Sequence, residues 1–405
     1  MKTLLQVLLL LTPFFFVACD DEMPDPEPEL TVPETYRFER DGASTVSFSG
    51  QTTRLKMGEE LAAALSDFDR TEAGLLELFA NQTADGGDAD PYTDAELNAS
   101  TKSIRSKTAA SEDYFSANTV ASADIRADFE AWIAGQVNEV FPAENELAAP
   151  GQPGQIADGS SVRYVNAQGL EYNQAFIKGL IGALVVDQML NNYLSTGVLD
   201  AGDNRDENDR GVVATDQAYT TMEHKWDEAY GYLYGLSPDE ATPNNDLGAD
   251  SYLNKYLGRV EGDADFAGIA DEIYSALKRG RAAIVAGDYT ERDAQADIVR
   301  QRVSEIIGIR AVYYLQQGKT NLANGDTGAA FHDLSEGYGF IYSLMFTRKP
   351  GTDGPYFTKA ETEALLTDLM DDGANGLWDV EDGTLDDLAT QIADRFEFSL
   401  EEAAN

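Results

Sequence analysis

His224-Lys-Trp-Asp-Glu-Ala-Tyr-Gly-Tyr-Leu-Tyr-Gly-Leu236 and His332-Asp-Leu-Ser-Glu-Gly-Tyr-Gly-Phe-Ile-Tyr-Ser-Leu344 are two copies of one string. They contain the only two histidines of the chain, and both read H-x-x-x-E-x-Y-G-aromatic-aliphatic-Tyr-x-Leu. His to His, Glu to Glu and Tyr to Tyr, the separation between copies is the same. A pattern this long predicts a core built from two related halves. On a helix, positions i, i+4, i+7 and i+11 share a face. His224, Glu228, Gly231 and Gly235 form such a set, and His332, Glu336, Gly339 and Ser343 form its twin. Each face carries an imidazole, a carboxylate and then two small residues, which admit a neighbouring backbone at close range.

Two readings of these faces stand side by side. Imidazole and carboxylate from facing helices can hold a divalent metal or iron between them, and convergence of His224, Glu228, His332 and Glu336 would supply four ligands. Alternatively, each His–Glu pair satisfies its own hydrogen bonds and locks a helix contact. Other chemistry is scarce. There is no H-E-x-x-H, no phosphate loop ahead of a helix, and too few His and Cys for nucleophilic triads. Residues 371–376 with Asp379 and Asp382 weakly resemble a calcium loop but lack its third-position acid and closing Glu. The acidic stretch 200–209 is a comparably weak calcium candidate.

The rest of the folded region reads as helical, with one exception. Residues 36–57 predict a small β-hairpin, from the alternation Thr45-Val46-Ser47-Phe48-Ser49 and the strand-like Thr52-Thr53-Arg54-Leu55. Helical periodicity then covers 58–79, 122–140, 170–194, 215–236, 266–286, 293–317, 328–346, 359–370 and 385–396. Residues 148–161 read as a Pro/Gly/Ser linker, and 196–213 as a loop. The expectation is an all-α helical bundle with two pseudo-symmetric halves near 170–236 and 293–346, plus an N-terminal hairpin, in a single domain spanning 34–405. Ile306-Ile307-Gly308 echoes Leu180-Ile181-Gly182, which extends the duplication backward.

The N-terminus predicts location. Lys2, an apolar run over 4–17 and Ala18-Cys19 read as a signal peptide over 1–18, too short to span a bilayer. Phe16-Val17-Ala18-Cys19 resembles a bacterial lipobox, which makes the sole cysteine, Cys19, the lipidation site and the membrane a partner through its lipid. The acidic, Pro-rich stretch that follows, over 19–33, is a tether. Acids directly behind such a Cys resemble a surface-export signal, so the expected location is the outer membrane, with the protein facing either outward or the periplasm. With 72 acidic against 29 basic residues the formal charge is −43, a field that repels nucleic acid. Hydrophobic residues, at 43 %, are ample for a core.

The run Met222-Glu-His-Lys-Trp-Asp-Glu-Ala-Tyr-Gly-Tyr232, with Tyr36-Arg-Phe-Glu-Arg-Asp-Gly42 and Ser49-Gly-Gln-Thr52, resembles a family of Bacteroidota lipoproteins, domain of unknown function 4856. That family is similar to imelysin-like helical proteins, which are linked to iron acquisition and carry a G-x-H-x-x-E motif. The resemblance implies a non-enzymatic envelope lipoprotein for uptake of iron or another nutrient, alongside outer-membrane uptake proteins. Asp227 stands at the motif's acidic place after His224, whereas Ser335 stands there after His332. A metal-dependent hydrolase on the His–Glu pairs, or a structural partner of an outer-membrane complex, are the alternatives.

Overall fold

The computed structural model describes residues 30–116 and 119–405. The signal peptide, Cys19 and most of the tether therefore lie outside the described residues. Residues 32–405 group into one unit, and its described part is mostly helical, with two small two-stranded antiparallel sheets. No helix among the described residues is long and apolar enough to cross a membrane.

A 36-residue helix, Tyr289–Asn324, runs through the centre. Asp288 caps its start through the Glu291 amide, and Gly325 ends it in the left-handed conformation, at φ 78°. Against it pack the helices Ile269–Ala286, Thr327–Ser343 and Asp382–Phe396. The first His helix, Thr221–Tyr234, begins with a capping box between Thr220 and Glu223. Its flank is covered by the helix Ser49–Ala64.

The N-terminal hairpin is shorter than its sequence suggests. Only β1 (Glu39–Arg40) and β2 (Ala43–Ser44) pair, around a turn at Asp41-Gly42, and residues 52–55 belong to the helix Ser49–Ala64. Gln51, Arg54, Leu55, Gly58 and Leu61 are all buried, a helical stripe that overrides the β-branched Thr52-Thr53. The supposed linker over 148–161 is in part a second hairpin, β3 (Gly154–Asp158) with β4 (Ser161–Val165). Its Asp158-Gly159 turn between alternating residues was the signal. The stretch 170–194 is α-helical only over Tyr172–Leu180, then wider-wound over Ile181–Val186 and Met189–Tyr193. Buried Asp187, Gln188, Asn191 and Asn192 sit within it, and Asp187 accepts the amides of Ala110 and Ser111. Two short helices, Thr196–Leu199 and Asn204–Asp209, interrupt the expected loop over 196–213.

Candidate functional site

The first copy of the repeated string grips the N-terminal segment. Glu223 closes the capping box and also receives both terminal nitrogens of Arg40, each at 2.9 Å. One turn later Asp227 accepts the Tyr36 hydroxyl at 2.8 Å and the Ser47 amide at 3.3 Å. Arg281, from the helix Ile269–Ala286, bridges the two carboxylates, with Nε 3.0 Å from Asp227 and Nη1 3.2 Å from Glu223. Its Nη2 donates to Thr45, and its guanidinium lies over the Phe38 ring. Arg281 and Asp227 are wholly buried, and Glu223 is nearly so. Burial works against the Glu223 charge, but Arg281 and Arg40 hold its carboxyl below the usual range.

His224 belongs to the same grip. Its Nδ1 lies 2.9 Å from the Ser47 carbonyl, which can only accept, so Nδ1 carries the proton. Nε2 is 3.9 Å from Glu228, and the ring stacks on Tyr219. Glu228 accepts Lys225 Nζ at 2.7 Å and Gln51 Nε2 at 3.0 Å. Burial pushes His224 below its ordinary pKa, more than Glu228 raises it. Farther along the face, Tyr36 stacks on Tyr230 with centroids 3.6 Å apart. Phe48 fills the space at Gly231, where a Cβ would come within 2.4 Å of it. Thr52 donates to the Gly235 carbonyl. Residues 36–52 are thus held at every step of the helix face.

The second copy grips a different segment. His332 Nδ1 lies 3.1 Å from Glu171, and its Nε2 lies 3.6 Å from Glu336. Lys178 approaches Glu336 at 3.2 Å, and its ammonium also sits over the Tyr256 ring. The burial of Glu336 opposes its ionisation, yet Lys178 and His332 hold it down at about 2. Burial disfavours the imidazolium of His332, but the hydrogen bond and charge of Glu171 outweigh it and raise the pKa. A Cβ on Gly339 would lie 2.4 Å from Lys178 Cβ and 3.0 Å from the Gly179 nitrogen. Ser343 Oγ accepts from the Gly182 amide and donates to the Lys178 or Gly339 carbonyl. The small-residue faces read from sequence are therefore close-approach seams, on residues 48–52 in one copy and 178–182 in the other.

His224, Glu228, His332 and Glu336 are not gathered at one centre. Among the described residues no three His, Cys, Asp or Glu side chains are grouped to hold a metal ion, which covers the two acidic stretches at 200–209 and 371–382 as well. Each pair offers two ligands, and an ammonium already neutralises each glutamate, so the donor set does not fit a resident metal. Sequence reasoning missed Glu223, Asp227 and Arg281 as a unit. The signal was there: Arg281 stands four residues after Leu277 and three before Ile284, on the apolar face of its helix, where an unpaired arginine is rare.

Fold and site together define a helical protein whose most distinctive segment is a clasp. The chain belongs to the family described as Domain of unknown function (DUF4856), whose family model covers residues 33–399. No curated protein matches the chain, and no solved structure does.

Proposed function

We propose that the chain is a lipid-anchored protein of the outer membrane or cell surface that works by binding, as a non-enzymatic component in uptake of iron or another nutrient. One observation carries the emphasis on binding over catalysis. The four residues with the best catalytic credentials, His224, Glu228, His332 and Glu336, are engaged by Ser47, Lys225, Gln51, Glu171 and Lys178. Anchoring through Cys19 rests on the signal-like start and the resemblance, as does the link to iron. The clasp suits that reading, because a tethered protein needs its N-terminal segment fixed firmly to its body. We read the two strings as a duplicated unit, one presenting its small-residue face to the side chains of Phe48 and Thr52 and the other to the backbone at 175–182, and the halves as pseudo-symmetric in origin.

Elemental analysis of the full-length protein, with His224→Ala and His332→Ala beside it, tests this. The expected result is no stoichiometric metal in any of the three. An equimolar metal lost in both variants would show that the His–Glu pairs hold a metal after all, and a peptide-cleavage assay then decides: cleavage would overturn the binding reading in favour of a metal-dependent hydrolase.

A further inference from the structure

The aromatic face of the repeated string is treated differently in the two copies. In the first, Tyr230 and Tyr234 are fully buried, and Tyr36 lies flat on Tyr230. In the second, Tyr338 is half-buried and Tyr342 is 4 % exposed, and both border an open cleft of about 510 Å³, a size typical of small-molecule sites. Trp132 stands edge-on to both, with centroids 6.2 Å and 5.0 Å away. Three helices line the cleft through residues one turn apart, Asp128 and Trp132, Tyr338 and Tyr342, Glu363 and Thr367, and the segment 166–172 lines it as well.

Its charge has one sign. Asp128, Glu363 and Asp371 line it, and no lysine, arginine or histidine does. Asp128 accepts the Tyr342 hydroxyl at 2.8 Å, which fixes the carboxylate against the ring it borders. Lys359, outside the lining, reaches one oxygen of Glu363 and its charge also acts on Asp128, so one cation stands against three carboxylates and the cleft keeps a negative sign. Aromatic rings beside carboxylates make a setting in which a cation gains from both the ring quadrupole and the charge. An anion would be repelled, and a purely apolar ligand would leave the carboxylates desolvated beside it.

We propose that the cleft formed by Trp132, Tyr338, Tyr342 and Asp128 binds a small organic ammonium ion. The proposal rests on the reading of the chain as a binding protein and names the chemical class of its ligand. Its failure is separable, because it would leave the metal content of the protein unchanged.

Calorimetric titration of the full-length protein with choline, and with its neutral isostere 3,3-dimethylbutanol at equal ionic strength, tests it. The expected result is saturable choline binding, with the isostere about tenfold weaker or more. Asp128→Asn and Trp132→Leu each weaken choline by roughly fivefold or more, while circular dichroism verifies that both stay folded. Equal binding of choline and the isostere would overturn the proposal, as would no saturation in the millimolar range. Choline binding unaltered by both substitutions would also overturn it, since the acidic surface at large would then be the attractor.

Discussion

Arg281→Met lowers the unfolding free energy by about 3–5 kcal/mol at neutral pH, measured by urea denaturation. This is a large part of the 5–15 kcal/mol that holds a typical domain together. The loss does not come from the ion pairs as such. Taking a guanidinium and two carboxylates out of water costs nearly as much as their mutual attraction returns. It comes from what remains: Glu223 and Asp227 stay buried, and Asp227 then keeps only the Tyr36 hydroxyl and the Ser47 amide. Met fills the aliphatic part of the arginine volume, so little of the effect is cavity formation. Adding Glu223→Gln and Asp227→Asn to Arg281→Met should restore much of the stability, because no buried charge is then left without a partner. A cost below 1 kcal/mol for Arg281→Met, or a triple variant weaker than the single one, would contradict the clasp.

Lys178→Met carries the second large effect, again about 3–5 kcal/mol at neutral pH, because Glu336 loses its nearest cation in a buried setting. The pH profile makes this distinct from ordinary packing loss. Glu336 is held at about 2 in the folded protein, against 4.5 for a free glutamate. A depressed acid stabilises the fold above its unfolded pKa, and the contribution fades as pH falls from about 4.5 towards 2. His332 runs the other way. Its raised pKa stabilises the fold below about 6.5, and that contribution is lost as pH rises through the folded value. Removing Lys178 should flatten the acid limb and push His332 higher still, since a neighbouring positive charge is gone and the imidazolium becomes the cation in ion-pair range of Glu336. Urea midpoints between pH 3 and 8 for wild type and variant check both limbs; parallel profiles would refute the linkage.

Much of this was legible in the sequence, and what was missed has physical causes. The string at His224 and His332 fixed the helices, their buried faces and the close approach at Gly231, Gly235, Gly339 and Ser343, because helical spacing determines what shares a face. It could not say what each face meets. One copy takes residues 36–52 and the other takes residues 171–182, a choice made by tertiary packing that no local period encodes. Composition extends the hairpin over 36–57 because Thr52-Thr53 mimic a strand, whereas burial of Leu55, Gly58 and Leu61 decides for helix. The pattern around Arg281 marks it as buried, but its partners lie 54 and 58 residues away along the chain and no local period names them. Tyr36, Arg40, Glu223 and Asp227, which lie in the runs that resemble the family, bond in two pairs, Tyr36 to Asp227 and Arg40 to Glu223.

With only two histidines in the chain, their ring resonances can be followed singly by NMR from pH 4 to 9. The clasp and the buried pair predict that His224 titrates below 6.5, with its proton on Nδ1, and that His332 titrates above 6.5. They also predict that added zinc leaves both curves in place. The opposite order, or a joint collapse of both titrations on one equivalent of zinc, would contradict the account and return the four residues to a metal centre.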